Sequence, residues 1–249
     1  MNKLRLSLFV LLAFSVMCAK AQNKWHYNFG LGASFNAGNV NNCNISNDGA
    51  IERNDSLIAF DARYKLLYSS LIDRNATDQR WKETNFEING GFKMDLYQYG
   101  KYSPFLACEM LTNKYKGYDL RLSGLAGIKY RIYTIPAICD YSISAAFVYD
   151  WTDFTDETHL LNNNYRISIR PKIKQRLAEN LTLLHTTFYQ PSVLDFDDYI
   201  INCNTKLQTQ ITRKFYIDIG FSYEYRNRVP SENYKKHDFL SEVSFRFKY

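Results

Sequence analysis

The last thirteen residues, His237–Tyr249 (HDFLSEVSFRFKY), alternate between apolar and polar side chains. The apolar set comprises Phe239, Val243, Phe245, Phe247 and Tyr249, and the polar set comprises Glu242, Ser244, Arg246 and Lys248. A period of two is typical of a β-strand with one face in an apolar environment and the other in a polar one. Because the sequence stops on the apolar face, with no following residues to cover it, we interpret this stretch as the closing strand of an outer-membrane β-barrel.

The first residues have the pattern of a secretory signal peptide. A positively charged start precedes the apolar run Leu6–Met17, and Ala19 and Ala21 supply the small residues that a signal peptidase requires. Cys18 suggests a lipid anchor, but the residues before it do not fit the pattern for lipid attachment. We therefore predict cleavage after Ala21, which gives a signal peptide over residues 1–21 and a barrel domain over residues 22–249.

Charge and hydropathy exclude several classes of protein. Cleavage removes three cations and no acids, so the formal net charge falls from +6 to +3. No block of like charge indicates nucleic acid as a partner. No apolar run after Met17 reaches the ~18 residues that a membrane-spanning helix needs. A mature chain that crosses a membrane must therefore use strands that pair in a closed ring.

Aromatic residues make up 16% of the chain. In a barrel, rings with a polar edge are favoured at the two lipid–water interfaces. The candidates near predicted strand ends are Trp25, Tyr68, Trp81, Tyr102, Trp151, Tyr165, Tyr189, Tyr199 and Tyr249. We expect these rings to set the depth and tilt of the barrel rather than to bind a ligand.

Four cysteines lie in the mature chain: Cys43, Cys108, Cys139 and Cys203. They allow three disulfide pairings, but none is close to another in sequence, and Cys203 lies among residues expected to face lipid. We therefore expect buried, small apolar side chains rather than a disulfide framework. No CxxC or histidine-rich spacing indicates a metal site, and no cofactor is predicted.

Alternating segments recur along the mature chain. The first runs from Trp25 to Gly38, about twice the mean strand length of soluble proteins. Eleven segments are clear in total, although the residues of Leu181–Gln190 do not decide which of its faces points inward.

The number of strands follows from the connections between them. An antiparallel ring that closes between its first and last strands needs an even number. Long and short connections alternate back from the C-terminus, and this alternation fails only between Asn39 and Ser56. A weak strand within Asn42–Ile51, followed by a short turn at Glu52–Asp55, restores it. We therefore predict an all-β fold, a single antiparallel transmembrane barrel of twelve strands with both termini in the periplasm.

Three motifs, spread over nearly all of the mature chain, together resemble a known family. They are the glycine-rich start Trp25–Asn39 ending in Ala37-Gly38-Asn39, the strand Arg121-x-x-Gly124-x-x-Gly127-x-x-Tyr130, and Tyr189-Gln190-Pro191 followed by Asp195 and Asp198-Tyr199. The chain resembles domain-of-unknown-function family 481, often labelled a salt-induced outer membrane protein. The resemblance implies a barrel in the outer membrane of a Gram-negative bacterium and no established activity or site.

A lipid hydrolase would need a nucleophile beside a base, near the membrane surface. Of the four mature histidines, His185 precedes Thr186 and Thr187, but no Gly-x-Ser-x-Gly turn accompanies it. A half-exposed histidine in the barrel wall is the simpler interpretation, and no catalytic residue and no enzyme activity are predicted.

Acidic residues cluster in two predicted loops. They are Asp150, Asp153, Asp156 and Glu157 in one loop, and Asp195, Asp197 and Asp198 in the other. Carboxylates suit Ca²⁺ or Mg²⁺ that bridges lipopolysaccharide phosphates. Neither run has the glycine-containing spacing of an EF-hand, so solvated loop charge is the simpler interpretation and no metal site is predicted.

Four cations share the inward face of one predicted strand: Arg166, Arg170, Lys172 and Lys174. The preceding strand offers Asp150 near Arg166 and Asp140 near Lys174, and Leu181–Gln190 on the other side has no acid. We expect Arg170 and Lys172 to cross the lumen toward acids such as Asp218 or Glu242, or to stay solvated. Rings of Arg and Lys favour anions in pores.

Three functions remain open at this point. A narrow channel or small-solute pore with a mixed, locally basic lumen is favoured, a plugged structural or surface-interaction barrel is the alternative, and an outer-leaflet lipid hydrolase is the least favoured. Twelve strands leave an interior between the filled eight-stranded and the open sixteen-stranded cases. Expected partners are outer-membrane lipid, lipopolysaccharide and the barrel-assembly machinery, which would recognise Phe245, Phe247 and Tyr249. The oligomeric state is not indicated.

Overall fold

Twelve antiparallel strands close into one barrel, in chain order, with the first strand paired to the last. The structure, a computed structural model, describes residues 25–36, 41–72, 81–158 and 160–249. The predicted signal peptide and the Ala37-Gly38-Asn39 motif lie outside these residues. The predicted fold class and the predicted strand count are confirmed.

The strands are β1 (Trp25–Asn36), β2 (Asn41–Asn54), β3 (Ile58–Ile72), β4 (Trp81–Leu96), β5 (Tyr102–Asn113), β6 (Tyr118–Ile135), β7 (Cys139–Phe154), β8 (Asn163–Ala178), β9 (Leu181–Pro191), β10 (Tyr199–Gln210), β11 (Phe215–Arg226) and β12 (His237–Lys248).

The weakly patterned β2 is a full wall strand that pairs with both β1 and β3. It extends past the predicted range Asn42–Ile51, and its turn occupies residues 55–57 instead of Glu52–Asp55. The turn prediction was wrong because Glu52 and Arg53 still pair with β3. Backbone hydrogen bonds continue the strand beyond the point where its side-chain alternation ends.

The connections differ between the two ends of the barrel. At one end, which we call the turn end, the strands are joined by short connections: residues 55–57, 97–101, 136–138, 179–180 and 211–214. At the other end, which we call the loop end, the described connections include residues 114–117, 155–162, 192–198 and 227–236. Because the strand number is even, β1 begins and β12 finishes at the turn end. The described residues of the loop end include one 3-10 turn, Lys114–Lys116. No helix of the described chain is long and apolar enough to cross a membrane.

Burial on β12 reverses the usual arrangement of a soluble domain. Phe245 and Phe247 are 51% and 55% exposed, whereas Ser244 and Arg246 between them are 4% and 6% exposed. Soluble proteins bury apolar side chains and leave charged ones in water. The arrangement here fits a wall with lipid outside and a polar interior.

Aromatic rings on the outward face contact one another near both barrel ends. At the loop end the ring pairs are Tyr149–Tyr165 (5.4 Å between centroids), Tyr189–Tyr199 (5.9 Å), Tyr199–Tyr225 (5.9 Å) and Tyr225–His237 (4.8 Å). At the turn end they include Tyr102–Tyr130 (5.2 Å) and Phe215–Phe247 (5.0 Å). Tyr102, Tyr165, Tyr189 and Tyr199, which were among the rings predicted to lie at the lipid–water interfaces, belong to these pairs. The side chain of Trp81, another candidate, lies outside the described part.

The pairing of β9 with β8 and β10 shows which of its side chains point into the lumen. Thr186 lies opposite Lys172 on β8 and Asn204 on β10, and Phe188 lies opposite Asn202. The inward side chains of β9 are Thr182, Leu184, Thr186, Phe188 and Gln190. His185 and Thr187 therefore face outward.

The four cysteines of the mature chain are free thiols. Cys139 is buried, Cys43 and Cys203 are partly exposed, and Cys108 is exposed on the outward face of β5. The prediction of buried small side chains therefore describes Cys139 but was wrong for Cys108, since outward positions on this barrel face lipid.

Candidate functional site in the barrel lumen

Two inward glycines of β1 let side chains of β2 and β12 meet across the strand between them. At Gly30, Asp48 and Arg246 form an ion pair of 2.7 Å. At Gly32, the Ser46 hydroxyl donates to a Glu242 carboxylate oxygen at 2.6 Å. A Cβ atom added at Gly32 would overlap both of those side chains. The glycines thus allow direct side-chain links across the seam where the barrel closes.

Arg246 is the centre of a packed polar cluster near the turn end. Its guanidinium also donates to Asp218 at 2.7 Å, and Asp218 is fully buried. Gln208 donates to Asp218 at 2.7 Å, and Lys206 lies 3.4 Å from it. Because charges buried together in this way are strongly coupled, Asp218 is committed to these partners.

Arg166 belongs to a second buried cluster, at the loop end. Asp150 lies 2.6 Å from Arg121 and 3.2 Å from Arg166. Arg166 also contacts Asp198 at 2.6 Å, and Asn164 donates to the same carboxylate at 2.9 Å. The positive charge of Arg166 is neutralised locally by two carboxylates.

The other three predicted lumen cations form a separate group, which we call the basic row: Arg170, Lys172 and Lys174. All three lie on the inward face of β8, and both lysines are exposed. Within the described chain, no carboxylate lies within 4 Å of any of them. Asp140, opposite Lys174 in the register, instead accepts from Thr134 at 2.7 Å and lies 3.4 Å from Arg131.

The expected partners across the lumen are also engaged elsewhere. Asp218 binds Arg246, and Glu242 lies 3.4 Å from Lys65. The Arg170 guanidinium instead lies 4.0 Å from the ring centroid of Phe188. Of the two expected alternatives, the described residues show exposed lysines and no salt bridge across the lumen from the basic row.

Charged side chains in the middle of the lumen are partly exposed. Arg63 and Glu109 pair at 2.7 Å from inward positions on β3 and β5, and their side chains are 46% and 33% exposed. Lys65 and Lys206 are each 37% exposed. An interior filled by its own side chains would bury these groups, so these side chains do not fill the middle of the lumen completely.

Lys116 reaches across the loop end of the lumen. Its ammonium lies 3.1 Å from Glu224 on β11, 3.4 Å from Glu87 on β4 and 3.9 Å from Asp238 on β12. We call these four residues the mouth cluster. Burial lowers the pKa of Lys116, but Glu224 and Glu87 raise it by more, so its pKa lies above the ordinary value and the charge is retained.

Loops pack around the mouth cluster. Gly117 adopts a left-handed conformation, φ 82°, and its backbone lies close to Pro230 and Tyr234. Tyr234 donates to Asp156 at 2.7 Å, and burial together with this carboxylate raises the pKa of Tyr234 to about 12. A cavity of about 30 Å³ remains beside Lys116, room for roughly one water.

Lys116 was not singled out by the sequence. It lies in a connection, where strand alternation carries no information about side-chain direction. The signals that mark its turn are local: the Asn113 side chain accepts from the Lys116 backbone amide, and Gly117 ends the turn. These signals locate a turn and do not reveal acids on distant strands.

Four of the seven acids that cluster in the two predicted loops, Asp150, Asp156, Asp195 and Asp198, contact protein groups. Asp195 pairs with Arg228 at 2.7 Å, and Asp156 and Asp198 have the partners given above. In the described ranges, no three His, Cys, Asp or Glu side chains are arranged to hold a metal ion.

The candidate insertion residues lie at the seam. Tyr249 exchanges two backbone hydrogen bonds with Tyr27 of β1, at 2.9 and 2.8 Å. Its ring is 70% exposed, with the Lys214 ammonium 3.9 Å from the ring centroid. Phe245 and Phe247 both contact the Phe215 ring on the outward face.

His185 lies outside the lumen, in a small polar network on the outward face. Its ring nitrogens lie 2.8 Å from the Thr205 hydroxyl and 3.0 Å from the Thr187 hydroxyl. No carboxylate takes part in these hydrogen bonds, so the group that usually orients a catalytic histidine is not among its partners. His159, another of the histidines considered, lies outside the described residues.

The family is shown by comparison with known proteins. The model of the family described as "Protein of unknown function, DUF481" matches residues 29–249. The chain belongs to the DUF481 family. The sequence resemblance to family 481 is thus confirmed. A comparison with curated proteins finds no match.

Solved structures similar to this DUF481 barrel include outer-membrane channels. The NanC porin has a TM-score of 0.50 at 10% identity, with 89% of this chain and 97% of that chain covered. An outer membrane channel from Pseudomonas putida F1 has a TM-score of 0.53 at 8% identity, with 93% and 97% covered. At such identities the similarity shows the fold alone, and the barrel resembles those of outer-membrane proteins.

Proposed function

We propose that this protein is a narrow outer-membrane channel that favours small anions. The observation that carries the proposal is the basic row: three inward cations with no carboxylate partner in the described part of the chain, in a lumen whose central charged side chains are partly exposed. Uncompensated cations in a confined passage raise the local concentration of anions. Screening over ~8 Å at physiological salt keeps this effect local, so the preference for anions is expected to be weak.

We infer the orientation of the barrel in the membrane from the lengths of the connections at its two ends. Short turns lie at the periplasmic end of bacterial barrels and longer loops lie outside. We therefore assign the turn end, with both chain termini, to the periplasm. The incompletely filled part of the lumen then opens toward the periplasm, and the mouth cluster narrows the passage at the cell surface.

A second candidate is a barrel without transport. The mouth cluster favours it, because Lys116 bridges acids on β4 and β11, which face each other across the lumen. An occluded loop end with an incompletely filled interior is also what a closed state of a channel would have. Lipid hydrolysis remains the least favoured function.

Purified protein in a planar bilayer tests the channel. We expect discrete conductance steps, and a reversal potential in a salt gradient that indicates a preference for anions. Arg170→Glu should shift the reversal potential toward cation preference, because it replaces a lumen cation by an acid. Arg213→Glu makes the same charge change in an exposed turn and should leave selectivity unchanged. Absence of steps in wild type and in a variant with an opened mouth, or unaltered selectivity in Arg170→Glu, would reject the proposal.

A further inference from the structure

We infer that the lumen wall formed by β8, β9 and β10 is a binding site for a linear oligosaccharide that bears carboxylates. The inference rests on the proposed function only in that solutes must reach the lumen. It adds a ligand class, which a preference for small anions does not specify.

The charge pattern of the basic row favours a ligand with several negative charges. Arg170, Lys172 and Lys174 occupy alternate positions of one strand, so neighbouring members are about 6.6 Å apart along it. A single small anion can lie close to only one or two of them. A chain with repeated carboxylates can follow the whole row and relieve the repulsion among its members.

Several other lumen cations have protein carboxylates nearby. Lys93 and Lys129 share Asp95, at 2.7 and 3.5 Å. Arg63 is paired with Glu109. These three cations share two carboxylates, whereas Arg170, Lys172 and Lys174 have none within 4 Å in the described chain, so the uncompensated positive charge is largest on β8.

Arg170 is oriented to receive a carboxylate. Its guanidinium lies over the face of Phe188, which holds the planar group by a cation–π contact. Its Nε is buried and has no hydrogen-bond partner within the described chain. A ligand cannot reach this buried nitrogen, so a carboxylate would bind the two Nη atoms, which have no acceptor in the described chain, in bidentate geometry.

The two neighbouring strands supply uncharged groups suited to sugar rings. Leu184 and Phe188 offer apolar surface beside the basic row, and Thr186 offers a hydroxyl. Sugar rings need both, since they have apolar faces and hydroxyl-bearing edges. These groups are the reason to infer an acidic sugar chain rather than an inorganic polyanion.

On β10, hydrogen bonds within the protein orient the side-chain amides of Asn202 and Asn204. Ser222 donates to Asn204 at 2.7 Å, and Asn204 donates to Asn202 at 2.6 Å. Each amide nitrogen has two N–H groups, so further donors remain for ligand hydroxyls. An oriented amide pair loses little side-chain freedom when it binds.

Isothermal titration of the full-length mature protein in detergent tests the site. The probes are a linear six-residue uronic acid oligomer, its carboxyl-reduced neutral counterpart and a linear hexaphosphate. We expect the uronic acid oligomer to bind at least tenfold more tightly than either of the other two. The double variant Lys172→Gln/Lys174→Gln should weaken its binding at least tenfold, and Lys114→Gln, in an exposed loop position, should not change it.

Three outcomes would overturn the inference. They are equal binding of the neutral oligomer, equal binding of hexaphosphate, and unchanged affinity in the double variant. Because titration needs no current, failure of the site and failure of the channel are distinguishable. Conductance without oligomer binding would reject the site alone, and binding without conductance would reject the channel alone.

Discussion

Lys116 Nζ donates to Glu224 Oε2 at 3.1 Å across the mouth of the barrel, although 108 residues separate the two in sequence. This contact joins the loop between β5 and β6 to β11, on the opposite side of the ring. It is reinforced by Glu87 on β4, which also accepts from Asn113 at 2.9 Å. The mouth of the barrel is thus held by side chains from four separate elements.

Lys116→Gln is expected to increase single-channel conductance, because it removes the charge that draws Glu87 and Glu224 together across the mouth. Lys114 belongs to the same 3-10 turn and is 76% exposed, so Lys114→Gln is the matched control and should leave conductance at the wild-type level. Recordings in a planar bilayer compare the two variants. Equal conductance in Lys116→Gln and wild type would show that the mouth cluster does not limit flow.

Gly32→Ala is expected to destabilise the barrel by about 1–3 kcal/mol, because a Cβ there would overlap the Ser46 and Glu242 side chains. Gly124→Ala is the control, since nothing lies within 4 Å of a Cβ at that position. The temperature at which the folded band is lost on a denaturing gel should fall for Gly32→Ala only. Equal temperatures for both variants would mean that the seam tolerates the added methyl group.

Asp150→Asn is expected to cost about 3–5 kcal/mol of stability, because it leaves the buried Arg121 and Arg166 with an uncharged neighbour. Asp153→Asn changes an exposed acid of the same strand and should have little effect. Urea unfolding in lipid vesicles, followed by tryptophan fluorescence, measures both. A midpoint for Asp150→Asn within error of wild type would contradict the importance of this cluster.

The proposed orientation predicts which ends of the barrel are reachable from outside the cell. In a background with Cys43, Cys108, Cys139 and Cys203 replaced by alanine, Ser56→Cys at the turn end should not react with an impermeant maleimide on intact cells. Lys235→Cys in the 227–236 loop should react. Labelling of Ser56→Cys on intact cells, with no leakage of periplasmic enzymes, would reverse the assignment.

Deletion of Tyr249 is expected to lower the amount of folded barrel in the outer membrane while secretion continues, because two backbone hydrogen bonds to Tyr27 are lost at the seam. Tyr249→Phe keeps the backbone and the ring and should insert normally. Heat-modifiable barrel is quantified in membrane fractions. Wild-type levels after the deletion would remove Tyr249 from the insertion signal formed with Phe245 and Phe247.

Strand positions and facing were predictable wherever alternation was regular. On β12, each residue lies in lipid or in the lumen according to its place in a period of two, so local sequence determines burial. The alternation of long and short connections also required a strand at β2. Its own side chains did not indicate one, because its outward face carries Asn47 and Gly49. There Tyr64, directly opposite Gly49, lies over the glycine from β3.

What the sequence determined by itself was the barrel, its twelve strands and most of their faces, because these depend on properties that repeat along each strand. Only the tertiary structure decided the facing of β9, whose polar and apolar side chains are mixed, and the partners of the lumen charges. Asp140 contacts Arg131 rather than Lys174, and Lys116 reaches Glu224, because closure of the ring brings together groups far apart in the chain. Ion pairing depends on distance in space, which strand periodicity does not encode.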